Sequence, residues 1–208
     1  MTVTQALIAF SLTAGLLTLT PGLDTALVLR AAAIEGPGRA ALAAIGIGAG
    51  CLAWGAAAAL GLAALLQASG GAFIALKWAG AAYLVWLGLG MLLRPRARFD
   101  PGANEAVHEG RLAWLRKGFF TNLLNPKVGV FYVSFLPQFL PQGTAPAPFI
   151  FLLASLHVLM GLVWFSVLIA ATRPIATALK RPAVVRWLDR ATGVVFLGFG
   201  ARLAFERT

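Results

Sequence analysis

Of 208 residues, 60% are apolar and only 12% are charged, against about 25% charged in soluble domains. With a mean hydropathy of +0.84, the composition argues against a soluble enzyme and for an all-α integral membrane protein. A net charge of +10 could suit a nucleic-acid partner, but the basic residues cluster between apolar runs. They are therefore assigned to membrane topology, with no nucleic acid as partner.

Six apolar runs approach or exceed the roughly 20 residues a transmembrane helix needs: 4–29, 40–66, 72–93, 119–136, 149–171 and 184–205. The first lacks a basic lead-in and overruns the core of a cleavable signal, so it is expected to stay as a span. Within it lies Thr20-Pro21-Gly22-Leu23-Asp24. Proline inside a helix removes a hydrogen bond and clashes with the preceding turn, at about 3 kcal/mol, so this span should be broken. Arg30 and Arg39 separate spans one and two. Span two carries Gly46, Gly48 and Gly50, small residues that let helices approach closely in lipid; packing within the chain is expected, with a homodimer interface as the alternative. Cys51, the single cysteine, excludes an intramolecular disulfide and a two-thiol relay and reads as a small buried hydrophobe. Tyr83 lies near the middle of span three.

The polar stretch 94–117 holds Arg94, Arg96, Arg98, Arg111, Arg116 and Lys117 among Pro95, Pro101, Gly102 and Gly110. It is expected to be a flexible cytoplasmic linker, with His108 a solvated histidine. Span four carries the second break, Asn122-Leu123-Leu124-Asn125-Pro126-Lys127. Besides the proline, its lysine would cost about 2.5–3.5 kcal/mol near the bilayer centre. The following 137–148 is uncharged and proline-rich, and should form an ordered external loop. In span five, His157 reads equally as a satisfied core residue or a proton carrier. Arg173, Lys180, Arg181, Arg186 and Arg190 precede or open span six, and Arg202 with Glu206 makes an i, i+4 interfacial pair at its outer end. Thirteen of the 17 basic residues thus fall on one side. Cytoplasmic loops collect such residues, so both termini are predicted to be non-cytoplasmic.

The chain reads as two halves of one unit. Pro21 and Pro126, Trp54 and Trp164, Lys77-Trp78 and Arg186-Trp187 recur at a nearly constant offset. So do Trp86-Leu87-Gly88-Leu89-Gly90 and Phe196-Leu197-Gly198-Phe199-Gly200. Three spans per half is an odd number, so the second half enters from the opposite side, as in many secondary transporters. The expected organisation is a three-helix repeat over 1–93, the linker 94–117, and an inverted three-helix repeat over 118–208. Helices one and four are broken near mid-membrane.

Thr20 before Pro21 and Asn125 before Pro126 both match an N-cap with proline at the first helical position. A helix restarting inside the membrane presents unpaired N–H groups and a positive dipole end, which suit an anion; Gly22 leaves them accessible. The dipole favours Asp24 and disfavours Lys127, so Lys127 calls for a carboxylate. Asp24, read as the only acid in a span interior, supplies it, and the two are expected to face one cavity. That pair either locks two broken helices together or forms a zwitterion site. In the second reading an ammonium meets Asp24, and a carboxylate meets Lys127 and the free N–H groups. Asn122, Asn125 and Thr20 then offer neutral hydrogen bonds, and Tyr83 and His157 complete the candidate binding set. No cofactor is called for. A divalent-cation exporter would have only Asp24, His157 and Cys51 as interior ligands. An enzyme would lack a nucleophile–base pair, and a membrane scaffold remains the other alternative.

Thr20-Pro21-Gly22-Leu23-Asp24 resembles the Thr-Pro-Gly-Pro-Asp signature of the lysine-exporter (LysE/RhtB) family of amino-acid efflux proteins. Asn125-Pro126-Lys127-Val128-Gly129-Val130-Phe131, followed by Leu136-Pro137-Gln138-Phe139, is similar to that family's Asn-Pro-Lys segment. Gly80-Ala81-Ala82-Tyr83-Leu84 with Leu87-Gly88 matches its third-span pattern. Leu23 stands where the family has a second proline, a change expected to soften the first bend. The resemblance implies a bacterial inner-membrane exporter of amino acids, driven by protons, with Asp24, Asn125, Pro126 and Lys127 at its centre. With no second interior acid to hold a basic side chain, neutral substrates such as threonine, homoserine or leucine are expected.

Overall fold

The computed structural model describes residues 1–68, 70–95, 110–172 and 181–205. His108, Glu206 and most of the 94–117 linker lie outside them, as do the side chains of Tyr83 and Arg202. Among the described residues the protein is all-helical: α1 (Val3–Leu19), α2 (Leu23–Ile34), α3 (Pro37–Ala68), α4 (Gly70–Leu93), α5 (Arg111–Leu123), α6 (Pro126–Val130), α7 (Pro146–Ala170) and α8 (Pro182–Phe205). Between α6 and α7 the chain continues as widened π turns over Phe131–Phe135 and a tight 3-10 turn over Leu136–Phe139.

The prolines set the boundaries. A residue before proline is pushed out of the helical region, and Thr20 (ψ 113°), Asn125 (ψ 108°) and Ala145 (ψ 121°) all adopt extended backbone there. At the first break the axis turns by 54° between α1 and α2, although Leu23 stands in place of a second proline. The two breaks then differ. Asn125 caps α6 as expected, its side chain accepting from the Lys127 N–H at 3.1 Å with Pro126 in the first turn. Thr20 does not cap α2. It closes α1, and the N-cap of α2 is Gly22, with no side-chain hydrogen bond. Pro21 falls between the helices rather than opening the second.

Span four also departs from a single broken helix. After five residues of α6 the turns widen, and Pro137, with no N–H to continue the ladder, ends them in a 3-10 turn. This segment is ordered by aromatic packing: Phe10 of α1 meets Phe139 edge-on at 5.5 Å, and Phe135 lies 4.1 Å from Phe199 of α8.

Glycines set the helix crossings. A Cβ on Gly118 would fall 2.1 Å from the Ala43 carbonyl oxygen, and one on Gly46 the same distance from that of Leu115. The backbones of α3 and α5 therefore touch, running parallel, and Gly50 meets Asn122 further along. The glycine stripe of span two is used inside the chain. Gly48 and Gly55 face Val158 and Ala154, so α7 runs antiparallel to α3. Likewise Gly88 meets Gly193 and Ala81 meets Gly200, pairing α4 with an antiparallel α8.

Outward faces are apolar, with Leu12 73% and Val163 67% exposed, a surface suited to lipid. Pro37–Gly61 and Pro146–Ala170 are long and apolar enough to cross a membrane, and the bent α1–α2 pair makes a third such span among the described residues.

Candidate functional site

The two breaks meet. Asn122, at the end of α5, donates from Nδ2 to Asp24 Oδ2 at 2.9 Å. In the other direction Lys127 Nζ reaches the Thr20 carbonyl at 3.5 Å, a long contact. Each break thus supplies a polar group to the other, and the two ionisable residues singled out in sequence face one cavity. Its volume is about 70 Å³, where about 10–15 Å³ suffices for one water. That is room for a handful of waters. Asp24, Lys127, Asn122, Asn125, Thr20 and Gly22 all line it.

The polar groups are incompletely satisfied. Asp24 Oδ1 and Asn122 Oδ1 are buried and meet no hydrogen-bond donor among the described residues. Leaving a buried acceptor unpaired costs about 1–3 kcal/mol, more for a charged group. Two acceptors in one cavity call for a donor. Opposite in character are Lys127 and the start of α2, where Gly22 provides no side-chain cap and a Cβ built on it would meet nothing within 4 Å. A side chain at Gly22 would find open space.

His157 of α7 lines the same cavity and is buried. Its Nδ1 shares a 2.9 Å hydrogen bond with the Tyr132 hydroxyl, a partner absent from the sequence reading because Tyr132 sits in the irregular turns after α6. Cys51 lines the wall as well. Although Asp24, His157 and Cys51 share the cavity, no group of three metal-ligating side chains assembles among the described residues. Of the candidate set, Tyr83 has its backbone in α4, and its side chain lies outside the described residues.

Trp54 reads in sequence only as a repeat marker, and Thr192 and Asp189 escape the sequence reading. Trp54 of α3 donates from Nε1 to the Leu123 carbonyl at 3.2 Å, satisfying a backbone acceptor released by the second break. Thr192 of α8 bonds the Thr20 hydroxyl. Because the single Thr20 proton goes to the Leu16 carbonyl at 2.8 Å, Thr192 is the donor. Asp189, one turn before Thr192, is 1% exposed, so Asp24 is not the only acid inside a span. Arg186 and Arg190 flank it on the exposed face of α8, which made the region look like a solvated helix end. The buried stripe Val185, Leu188, Asp189 and Thr192 gives its true orientation. Asp189 is not among the cavity-lining residues.

Residues 16–207 match the LysE type translocator family. The chain belongs to that family. It is a membrane translocator and not an enzyme. Among its relatives is a homoserine/homoserine lactone efflux protein of Salmonella typhimurium, 35% identical over 205 residues and covering 96% of both chains. A leucine efflux protein of Klebsiella pneumoniae is 32% identical, over 89% of this chain and 88% of its own. A threonine efflux protein of Salmonella typhi is 28% identical, over 91% and 92%. No solved structure gives a significant match.

Proposed function

We propose that this LysE type translocator exports neutral amino acids from the bacterial cytoplasm across the inner membrane. The cavity shared by the two breaks is the substrate site. The substrate ammonium meets Asp24 Oδ1 and Asn122 Oδ1, which are acceptors in need of a donor. Its carboxylate meets Lys127 and the uncapped start of α2, where anions are favoured. Asn125, Thr20 and His157 complete the lining. The observation that carries this reading is that Asp24 and Lys127, one from each break, line one cavity. Relatives named for leucine, homoserine and threonine efflux support the substrate class.

Export alternates access around this site, in a six-span protein built as two inverted repeats over 1–93 and 118–208, with both termini outside. Supporting this, α3 runs parallel to α5 and antiparallel to α7, and α4 is antiparallel to α8, the directions the topology requires. The equivalent helices of the two halves, α3 with α7 and α4 with α8, also pack on each other. Coupling is to protons, with Asp24 and His157 as groups on the cavity wall able to carry one.

In proteoliposomes loaded with a neutral amino acid, Asp24→Asn and Lys127→Met should each abolish proton-driven efflux while both proteins still insert. Wild-type efflux from either variant overturns the site.

A further inference from the structure

The proposed substrate site accounts for the polar part of the cavity and leaves its other wall unassigned. That wall is built by α3 and α7. In their antiparallel register Gly48 faces Val158 and Leu162, and Gly161 lies in the same stretch of α7. Ile47, Gly48, Val158, Gly161 and Leu162 all line the cavity, with Phe165 closing the run toward the end of α7. None of these side chains carries a charge or a hydrogen-bonding group. Two residues of this wall are glycine.

The two glycines are not equivalent. A Cβ on Gly48 would come within 3.2 Å of Val158 Cγ1, so this position holds α3 and α7 at their spacing. A Cβ on Gly161 would meet only the Phe165 ring, at 4.0 Å. Space, not backbone packing, surrounds Gly161, and its hydrogen is what keeps that space open.

We infer that the gap between α3 and α7 receives the side chain of the transported amino acid, that it selects an uncharged aliphatic one, and that Gly161 sets its permitted size. The inference rests on the substrate site proposed above. An apolar wall rejects a cationic or carboxylate side chain through desolvation. It sorts aliphatic side chains by volume, at about tenfold or more per methylene. Because Gly161 touches no polar group, changing it should alter the order of preference and spare the machinery that holds the backbone of the substrate.

The test is counterflow in proteoliposomes with alanine, valine, leucine, lysine and glutamate as competing substrates, for wild type, Gly161→Ala and Gly161→Val. Wild type should take leucine and valine and exclude lysine and glutamate. Gly161→Val should lose leucine by about tenfold or more and keep alanine within about twofold, with Gly161→Ala intermediate. Monodisperse elution of each variant in detergent separates a filled subsite from a misfolded protein, and Gly161→Ala, the milder change, remains informative if the valine variant fails to fold. Equal loss of all substrates from a folded variant, or an unchanged preference, overturns the inference while leaving the Asp24–Lys127 site standing. A wild-type protein that moves no neutral amino acid overturns both.

Discussion

Asn122 shows how much one buried amide contributes here. It is fully buried, and its Nδ2 is the donor to Asp24 while its Oδ1 has no hydrogen-bond partner among the described residues. A hydrogen bond to a charged group contributes about 1.5–3 kcal/mol, a neutral one about 0.5–1.5 kcal/mol. Asn122→Ala should therefore lower thermal stability in detergent by more than Thr20→Val, which removes the hydroxyl contact to Thr192. It should also raise the substrate concentration needed for half-maximal efflux, because Asp24 loses the group that aims it. Equal melting temperatures for the two variants would show that the amide does not hold Asp24. Thr20 itself illustrates the limit of local rules. A threonine before proline fits an N-cap by residue type, yet the backbone forced on it by Pro21 makes it the end of α1 instead.

Among the elements, α3 is the one on which the others are hung. Its glycines bring α5 to backbone contact, and its tryptophan ties off the break that follows. Gly118→Ala and Gly46→Ala would each place a methyl 2.1 Å from a carbonyl oxygen of the other helix. Overpacking of this kind costs about 1–3 kcal/mol. Both variants should melt earlier and export poorly, since α5 carries Asn122 into the site. Gly90→Ala is the control. A Cβ there meets nothing within 4 Å, and alanine is favoured over glycine in a helix by about 0.5–1 kcal/mol, so stability should hold or rise. Thermal unfolding of the three purified proteins decides between these outcomes. If Gly118→Ala matched Gly90→Ala, the α3–α5 contact would not be as close as described.

For the whole molecule, the arrangement of charge makes a topological prediction. Cys51 is buried and is the only cysteine, so Cys51→Ser gives a background for single-cysteine labelling. Thr2 and Gln142 are exposed at one end of the bundle, Gly38 and Gly110 at the other. In that background Thr2→Cys and Gln142→Cys should react with a membrane-impermeant maleimide on intact cells. Gly38→Cys and Gly110→Cys should react only after lysis. The reverse pattern would invert the assigned orientation, and labelling of all four in intact cells would rule out a spanning bundle.

The sequence by itself determined the membrane class, the two breaks and the residues at their centre. Apolar run length, proline and a charge in lipid are local properties whose costs can be counted without coordinates. It also determined that Asn125 caps and that the glycines of span two are for packing, since neighbouring residues decide both. Only the tertiary structure decided what those residues touch: Asn122 on Asp24, Tyr132 on His157, Thr192 on Thr20, and the burial of Asp189 between two exposed arginines. Those contacts join elements distant in the chain, and each depends on how helices rotate and cross, which a helical repeat alone leaves open. The gap at Gly48 and Gly161 belongs to the same class, because a cavity is a property of the space between helices and of no single segment.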